Sequence, residues 1–249
     1  MLKFPFAGAG DLYGYDIGAA VPTPVKFGTV QDITLEISFS HKELFGTKQL
    51  AESVLRAEGK MTGKAKFANI QADVIGNLFL GIAPITGSIL PIKGEAGTIP
   101  NTPGPYTITV ANGANFRKDL GVWFTATGAQ LTRVAAAPAA GQYAVNESTG
   151  VYTFAEADKQ LAVKFDYLYN AAASGKTITI VNEESQEAPY FMIIFTGTYQ
   201  GKSIVLILNK CTSNKLSLPT KRGDFTIQEF DFAVQADDND EIGTLSLPG

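Results

Sequence analysis

The chain has 249 residues, of which 45% are hydrophobic and 18% charged, enough apolar matter for one large β domain or two smaller ones without disulfides. A net charge of -4 offers no broad basic surface to hold phosphate backbones, so tight wrapping around DNA is not expected. The single cysteine, Cys211, cannot close an intramolecular disulfide, and Met1-Leu2-Lys3-Phe4-Pro5-Phe6 lacks the apolar run of a secretory signal, so synthesis in a reducing cytosol is expected.

In chain order, Gly8 to Gly14 carries the glycines of a dinucleotide fingerprint, but no strand precedes it and no periodic helix follows, so it reads as a flexible arm. Ile33, Leu35, Ile37 and Phe39 alternate with Thr34, Glu36, Ser38 and Ser40, the period of a half-buried strand. A longer alternation follows: Leu55, Ala57, Gly59, Met61, Gly63, Ala65 and Phe67 form an inward set, while Arg56, Glu58, Lys60, Thr62, Lys64 and Lys66 form a charged outward row. Between the two lies Ser40 to Ser53, too long for a hairpin turn. A loop of that length usually binds something, which makes Lys42, Glu43, Phe45 and Leu50 candidate contact residues.

Asn69 is placed to cap a helix whose apolar positions Ile70, Val74, Ile75, Leu78 and Phe79 share one face, with Gly81 to end it. From Ala83 to Pro105 the density of proline and glycine predicts a linker, with a boundary near residue 96. Short segments follow, Tyr106 to Val110, Gly121 to Thr127, Gln142 to Val145 and Val151 to Phe154. They predict a small inserted β-sandwich over 96–175, flanked by a core domain made of 1–95 and 176–249. Gly141 to Phe154 reads as a hairpin with its loop at Asn146 to Gly150. Val163, Phe165, Tyr167 and Tyr169 mark a further strand, closed by Ala171 to Gly175.

Long strands return at Thr177 to Val181, Tyr190 to Tyr199, Lys202 to Leu208 and Asp224 to Ala236. The middle two are apolar on both faces and call for cover on both sides. Their run is interrupted by Gly197 and by Gln200-Gly201-Lys202, so it makes two strands rather than a membrane span. In the last strand the parity of Phe225 and Ile227 conflicts with that of Phe230, Phe232 and Val234, which predicts a bulge near Gln228 and Glu229.

Candidate chemistry is sparse. His41 is the only histidine, and a lone loop histidine is far more often a solvated surface group than a proton shuttle. Cys211, at an apolar strand end, reads as a packing residue. One histidine and one cysteine cannot supply a zinc site, and Asp237 to Glu241 lacks the glycine and distant glutamate of a calcium loop, so no metal or other cofactor is expected. Carboxylate pairs for glycoside hydrolysis cannot be picked out without geometry. The expectation is a non-enzymatic protein.

The order of elements resembles the phage tail tube protein family: a glycine-rich arm, Pro22-Thr23-Pro24 leading through Phe27-Gly28 into a strand, a long loop, a second long strand, one helix, then further strands. The closing segment Lys221 to Phe232 is also similar to the last strand of such subunits. The resemblance covers roughly 1–95 and 176–249. It implies a mainly β fold, a tail-tube-like β-sandwich or barrel with one flanking α-helix, and the insert is similar to the Ig-like decorations of tail proteins.

It also implies homohexameric rings stacked into a tube whose lumen conducts DNA without reading its sequence. The partners would then be further copies together with tail tip, tape measure and terminator proteins, with no membrane, and the location the tail of a virion assembled in the bacterial cytoplasm. Lys42, Glu43, Phe45, Leu50, Arg56, Lys60, Lys64 and Lys66 become inter-ring or inter-subunit contacts, the basic ones facing another subunit or offset by nearby acids. Three other readings stand beside it. They are the tube of a contractile injection system, whose subunits are usually shorter; a carbohydrate-binding β-sandwich with Trp123 and Tyr143, Tyr152 or Tyr167 as stacking rings; and a hydrolase using His41.

Overall fold

The structure, a computed structural model, describes residues 10–69, 71–101, 103–182 and 188–247. It is mainly β, with several sheets, none of them closed. The chain forms two compact units, one of Met1–Pro84 with Ile178–Gly249 and one of Ile85–Thr177.

In the first unit, β1 (Gly10–Asp16), β2 (Val25–Lys26), β3 (Val30–Phe45) and β4 (Ala51–Phe67) precede a short helix, Val74–Leu80. The second unit holds β5 (Ile85–Thr98), β6 (Thr107–Thr109), β7 (Phe116–Phe124), β8 (Thr132–Arg133), β9 (Gln142–Asn146), β10 (Val151–Phe154) and β11 (Ala162–Thr177). The chain then returns with β12 (Tyr190–Tyr199), β13 (Lys202–Ser217), β14 (Gln228–Gln235) and β15 (Gly243–Ser246).

The first unit is one eight-stranded sheet in the order β2-β1-β12-β13-β14-β4-β3, with β15 added to β13. Alternation sets its inner face: Leu12, Ala65, Phe67, Phe191, Ile193, Leu208, Phe230 and Phe232 are buried against Phe27 and the helix residues Val74 and Leu78. Phe230 is the hub, with its ring centroid 5.3 Å from Phe27 and 5.7 Å from Phe191. Truncating such a residue to alanine costs about 3–5 kcal/mol.

Several expectations need correction. Gly10 to Gly14 belongs to strand β1 rather than to an arm, while Gly8 and Ala9 lie outside the described residues. Glycine hid the strand because side chains pack where its own would stand: a Cβ on Gly14 would lie 2.3 Å from Leu78 and 2.8 Å from Phe27. Asn69 does not cap the helix; its Oδ1 accepts the Thr29 amide at 2.7 Å. The helix is wound with π geometry, and it ends at Gly81 as expected, with left-handed φ of 66° and its amide donating to the Gly76 carbonyl. Ile70 lies outside the described residues.

The last strand begins only at Gln228, so the parity conflict has a different origin: Phe225 and Ile227 precede the strand, and the register shift falls in its partner, between Ser213 and Lys215. Residues 178–181 form no strand. On β12 and β13 one face is buried, whereas Met192, Ile194, Val205 and Ile207 on the other are only half-buried.

The second unit opens at Ile85, not near residue 96, because β5 pairs with β11 across the supposed linker. Pro91 is tolerated there since β5 is an edge strand. Gly94, at φ of 73°, sits in a bulge where its amide donates to Asp166 Oδ1 at 2.7 Å. Residues Ala171 to Gly175 do not close β11, which runs on to Thr177. Sheets of order β6-β10-β9-β8 and β5-β11-β7 share one core of Ile99, Val122, Tyr152, Phe154, Val163, Phe165 and Tyr167. The hairpin expected over 141–154 is present as β9 and β10.

Inside that core the Asp119 carboxylate, its side chain 4% exposed, accepts the Tyr143 hydroxyl at 2.6 Å and the Tyr152 hydroxyl at 2.8 Å. The Tyr167 hydroxyl donates to Glu95, which also accepts the Ala111 amide. Burial, reinforced by Asp119, raises the pKa of both Tyr143 and Tyr152. Their folded values lie above the ordinary 10.0. The stability they contribute is therefore complete below that value and lost as pH climbs toward the raised ones.

Two outcomes follow. Because Ile85 pairs with Thr177, residues 85–177 expressed alone fold cooperatively, giving a single urea transition by circular dichroism. In that fragment stability falls as pH passes about 10, and Tyr152→Phe, about 1–3 kcal/mol less stable at neutral pH, shows a shallower fall. A flat alkaline profile in the unsubstituted fragment would contradict the buried network.

Candidate functional site

β3 and β4 run 16 and 17 residues. β14 pairs with β4 only from Met61 to Phe67. Beyond Met61 the two strands continue as a two-stranded ribbon to a turn at residues 46–50. The loop expected over Ser40 to Ser53 is thus mostly strand. Alternation failed to show it because the register slips between Phe39 and His41, so side-chain parity changes partway along.

The ribbon is unusual in what it exposes. Leu44, Phe45, Leu50, Val54 and Leu55 are all more than half exposed, Leu50 at 82%. An isolated two-stranded ribbon is marginal in water, and apolar side chains on it gain nothing until something covers them. The expected inward set therefore holds for Gly63, Ala65 and Phe67, which are buried, and fails for Leu55 and Gly59, which are exposed where the ribbon has left the sheet.

Of the candidate contact residues, Lys42, Glu43, Phe45 and Leu50 lie at the tip and Arg56 and Lys60 along its β4 side, all exposed. Arg56 stacks on Phe39, 3.3 Å from the ring centroid, its cation shielding an otherwise bare aromatic. Lys64 and Lys66 are elsewhere, on the sheet's outer face. Lys64 faces Glu229 at 3.5 Å and Asp231 at 3.8 Å, and Lys66 faces Asp32 at 3.4 Å. Being half-exposed, these pairs add little stability, but they neutralise the face.

Register defines two ends of the sheet. The ribbon tip, the β12–β13 turn and Ser246, opposite Val205, mark one end; Phe67, Gln228 and Ser217 mark the other. At that second end Leu218, Phe225 and Ile227 are exposed in the β13–β14 connection, Phe225 at 99%. Sequence reasoning missed Phe225 as a surface group; the parity conflict with Phe230 was the available signal.

Residues proposed for chemistry do not converge. His41 is exposed in the ribbon opposite Arg56, whereas Cys211 is buried in the core and its thiol is pushed up to about 12 by burial. The Asp237 carboxylate is engaged by protein, accepting the amides of Asn239 and Glu241 within its own turn and the Asn209 side chain from β13, each at 2.9 Å. Tyr143, Tyr152 and Tyr167 present no stacking platform, since their rings are core and their hydroxyls are engaged. No helix of the described residues is long and apolar enough to cross a membrane. No protein-family profile matches the chain, and no curated protein matches it.

In the purified chain, backbone amides of residues 40–58 are expected to exchange with deuterium far faster than those of 204–211, which lie between neighbouring strands. Hydrogen exchange with mass spectrometry measures this; equal protection would mean that the ribbon is already covered.

Proposed function

We propose that the chain is the major subunit of a phage tail tube, forming rings of identical copies that stack into a conduit for DNA. The observation that carries this reading is the protruding ribbon with its exposed Leu44, Phe45, Leu50, Val54 and Leu55, a surface that invites a partner. Exposed apolar groups also occur at the opposite end of the same sheet, at Leu218 and Phe225. Two different sticky ends on one subunit make a heterologous contact, which propagates by end-to-end addition.

Free strand edges suit lateral growth into rings. The outer edge of β3 and the outer edge of β1 beyond β2 carry no strand partner among the described residues, and such edges pair readily with another chain. The charge pattern suits passage of DNA: Lys64 and Lys66 are offset by Glu229, Asp231 and Asp32, so that face would not hold phosphates by counterion release. The second unit, with its own core, suits an external decoration and favours a long non-contractile tail over a contractile tube. On this reading the protein works in the virion tail, assembled in the bacterial cytoplasm, beside tail tip, tape measure and terminator proteins.

Negative-stain microscopy of the purified chain is expected to show rings or tubes with a central hole. Phe45→Asp with Leu50→Asp changes only exposed side chains, so the monomer keeps its circular dichroism spectrum. Each buried anchor of this kind is worth about 2 kcal/mol or more at an interface, and the double variant is expected to form no tubes. Unimpaired tubes would sink the assignment.

A further inference from the structure

The sheet of the first unit forks. β14 ends at Gln235, opposite Lys210, and β15 resumes along the same edge of β13, from Gly243 opposite Leu208 to Ser246 opposite Val205. On the other side β4 has left β14 at Met61 and pairs only with β3. Between the two branches lies an apolar cleft of about 530 Å³, with Ile37, Phe39, Met61, Leu206, Leu208 and Leu245 in its walls. Both strand edges that face it, those of β15 and of the ribbon part of β4, are unpaired among the described residues. It is a slot shaped for an extended segment with apolar side chains on one face.

We infer that this cleft receives the β13–β14 connection of a second copy, with Phe225 and Ile227 seated in it. Three observations carry this, and all rest on the self-assembly reading above. Residues 225–227 have no regular structure, and Phe225 and Ile227, two positions apart, are exposed at 99% and 47%. In an extended chain they project to the same side.

The connection leaves the sheet at the end opposite to the cleft's mouth, which end-to-end addition requires. The charges also match. The cleft wall includes Ala236 and Ile242, with Lys60 as its cation, and the turn between those two carries Asp240 and Glu241, both exposed, beside Asp238, which pairs with Lys210 at 3.9 Å. The connection carries Lys221 and Arg222; Lys221 is held by Asp224 at 2.7 Å, which leaves Arg222 as its outward cation. A buried aromatic with a neighbouring arginine is the usual composition of an interface anchor.

The test uses the full chain and sedimentation velocity, with circular dichroism as the control for folding. Phe225→Asp and, separately, Arg222→Glu are expected to raise the concentration needed for assembly by at least about tenfold, and Arg222→Glu combined with Asp240→Lys and Glu241→Lys to bring it back. A second variant, Thr226→Cys with Thr244→Cys, is expected to give a ladder of disulfide-linked oligomers on oxidation, with neither single variant doing so. If the unsubstituted chain assembles while both single-site variants assemble equally well and no ladder forms, the cleft has another occupant and this inference is overturned, although the tube reading stands. If the unsubstituted chain never assembles, both fall.

Discussion

A mismatch of strand lengths governs the first unit. β4 is 17 residues long, but β14 supports only its last part, from Met61 to Phe67. Among the described residues, the backbone of the remaining stretch has only β3 as a strand partner, and the rest of its groups fall to water. From this one constraint come the free ribbon, the exposed tip and the fork beside β15. The apolar inner face does not stop where the sheet stops: Leu35, Met61, Leu206 and Val234 pack on the core and also line the cleft.

The second unit solves the opposite problem. Its polar groups are turned inward and matched, with Asp119 serving two phenols and Glu95 serving Tyr167 and the Ala111 amide. A buried carboxylate with fewer donors would be costly, and a fully served one fixes how the surrounding rings pack. Phe116 stacks on Tyr167 at 5.4 Å, and Tyr152 lies 4.7 Å from Phe165. Ile85, Leu120 and Leu161 of this unit are exposed, but the polar network and the rings around it are enclosed.

How far the sequence discloses this depends on local parity. Ile33 and Leu35, Gly63 to Phe67, and Val163 to Tyr167 show their inner faces because their strands are regular and one face is buried. Tyr190 to Tyr199 is β12 to the residue. Past Phe39 the slip of register scrambles the pattern, and with both faces exposed there is no apolar stripe to read. Proline and glycine misled at Pro91 and Gly94 because an edge strand tolerates the first and a bulge requires the second. Asn69 has the chemistry of a cap but takes its partner at Thr29, far away in sequence. Lys42, Glu43, Phe45 and Leu50, which the structure places together and exposed at the ribbon tip, are legible as a set; the cleft is not, since it is made by the end of one strand and the start of another that sequence joins through a polar turn.

The pairing of Ile85 with Thr177 gives the second unit a topological meaning beyond its own packing. To the first unit, a whole domain enters and leaves through a gap no wider than one strand spacing, about 5 Å. The host therefore bears the closure entropy of little more than a hairpin turn, whatever the domain's size. Such a junction is a natural splice point: a foreign domain with adjacent termini could be grafted between Pro84 and Ile178 without altering the sheet that holds the host together.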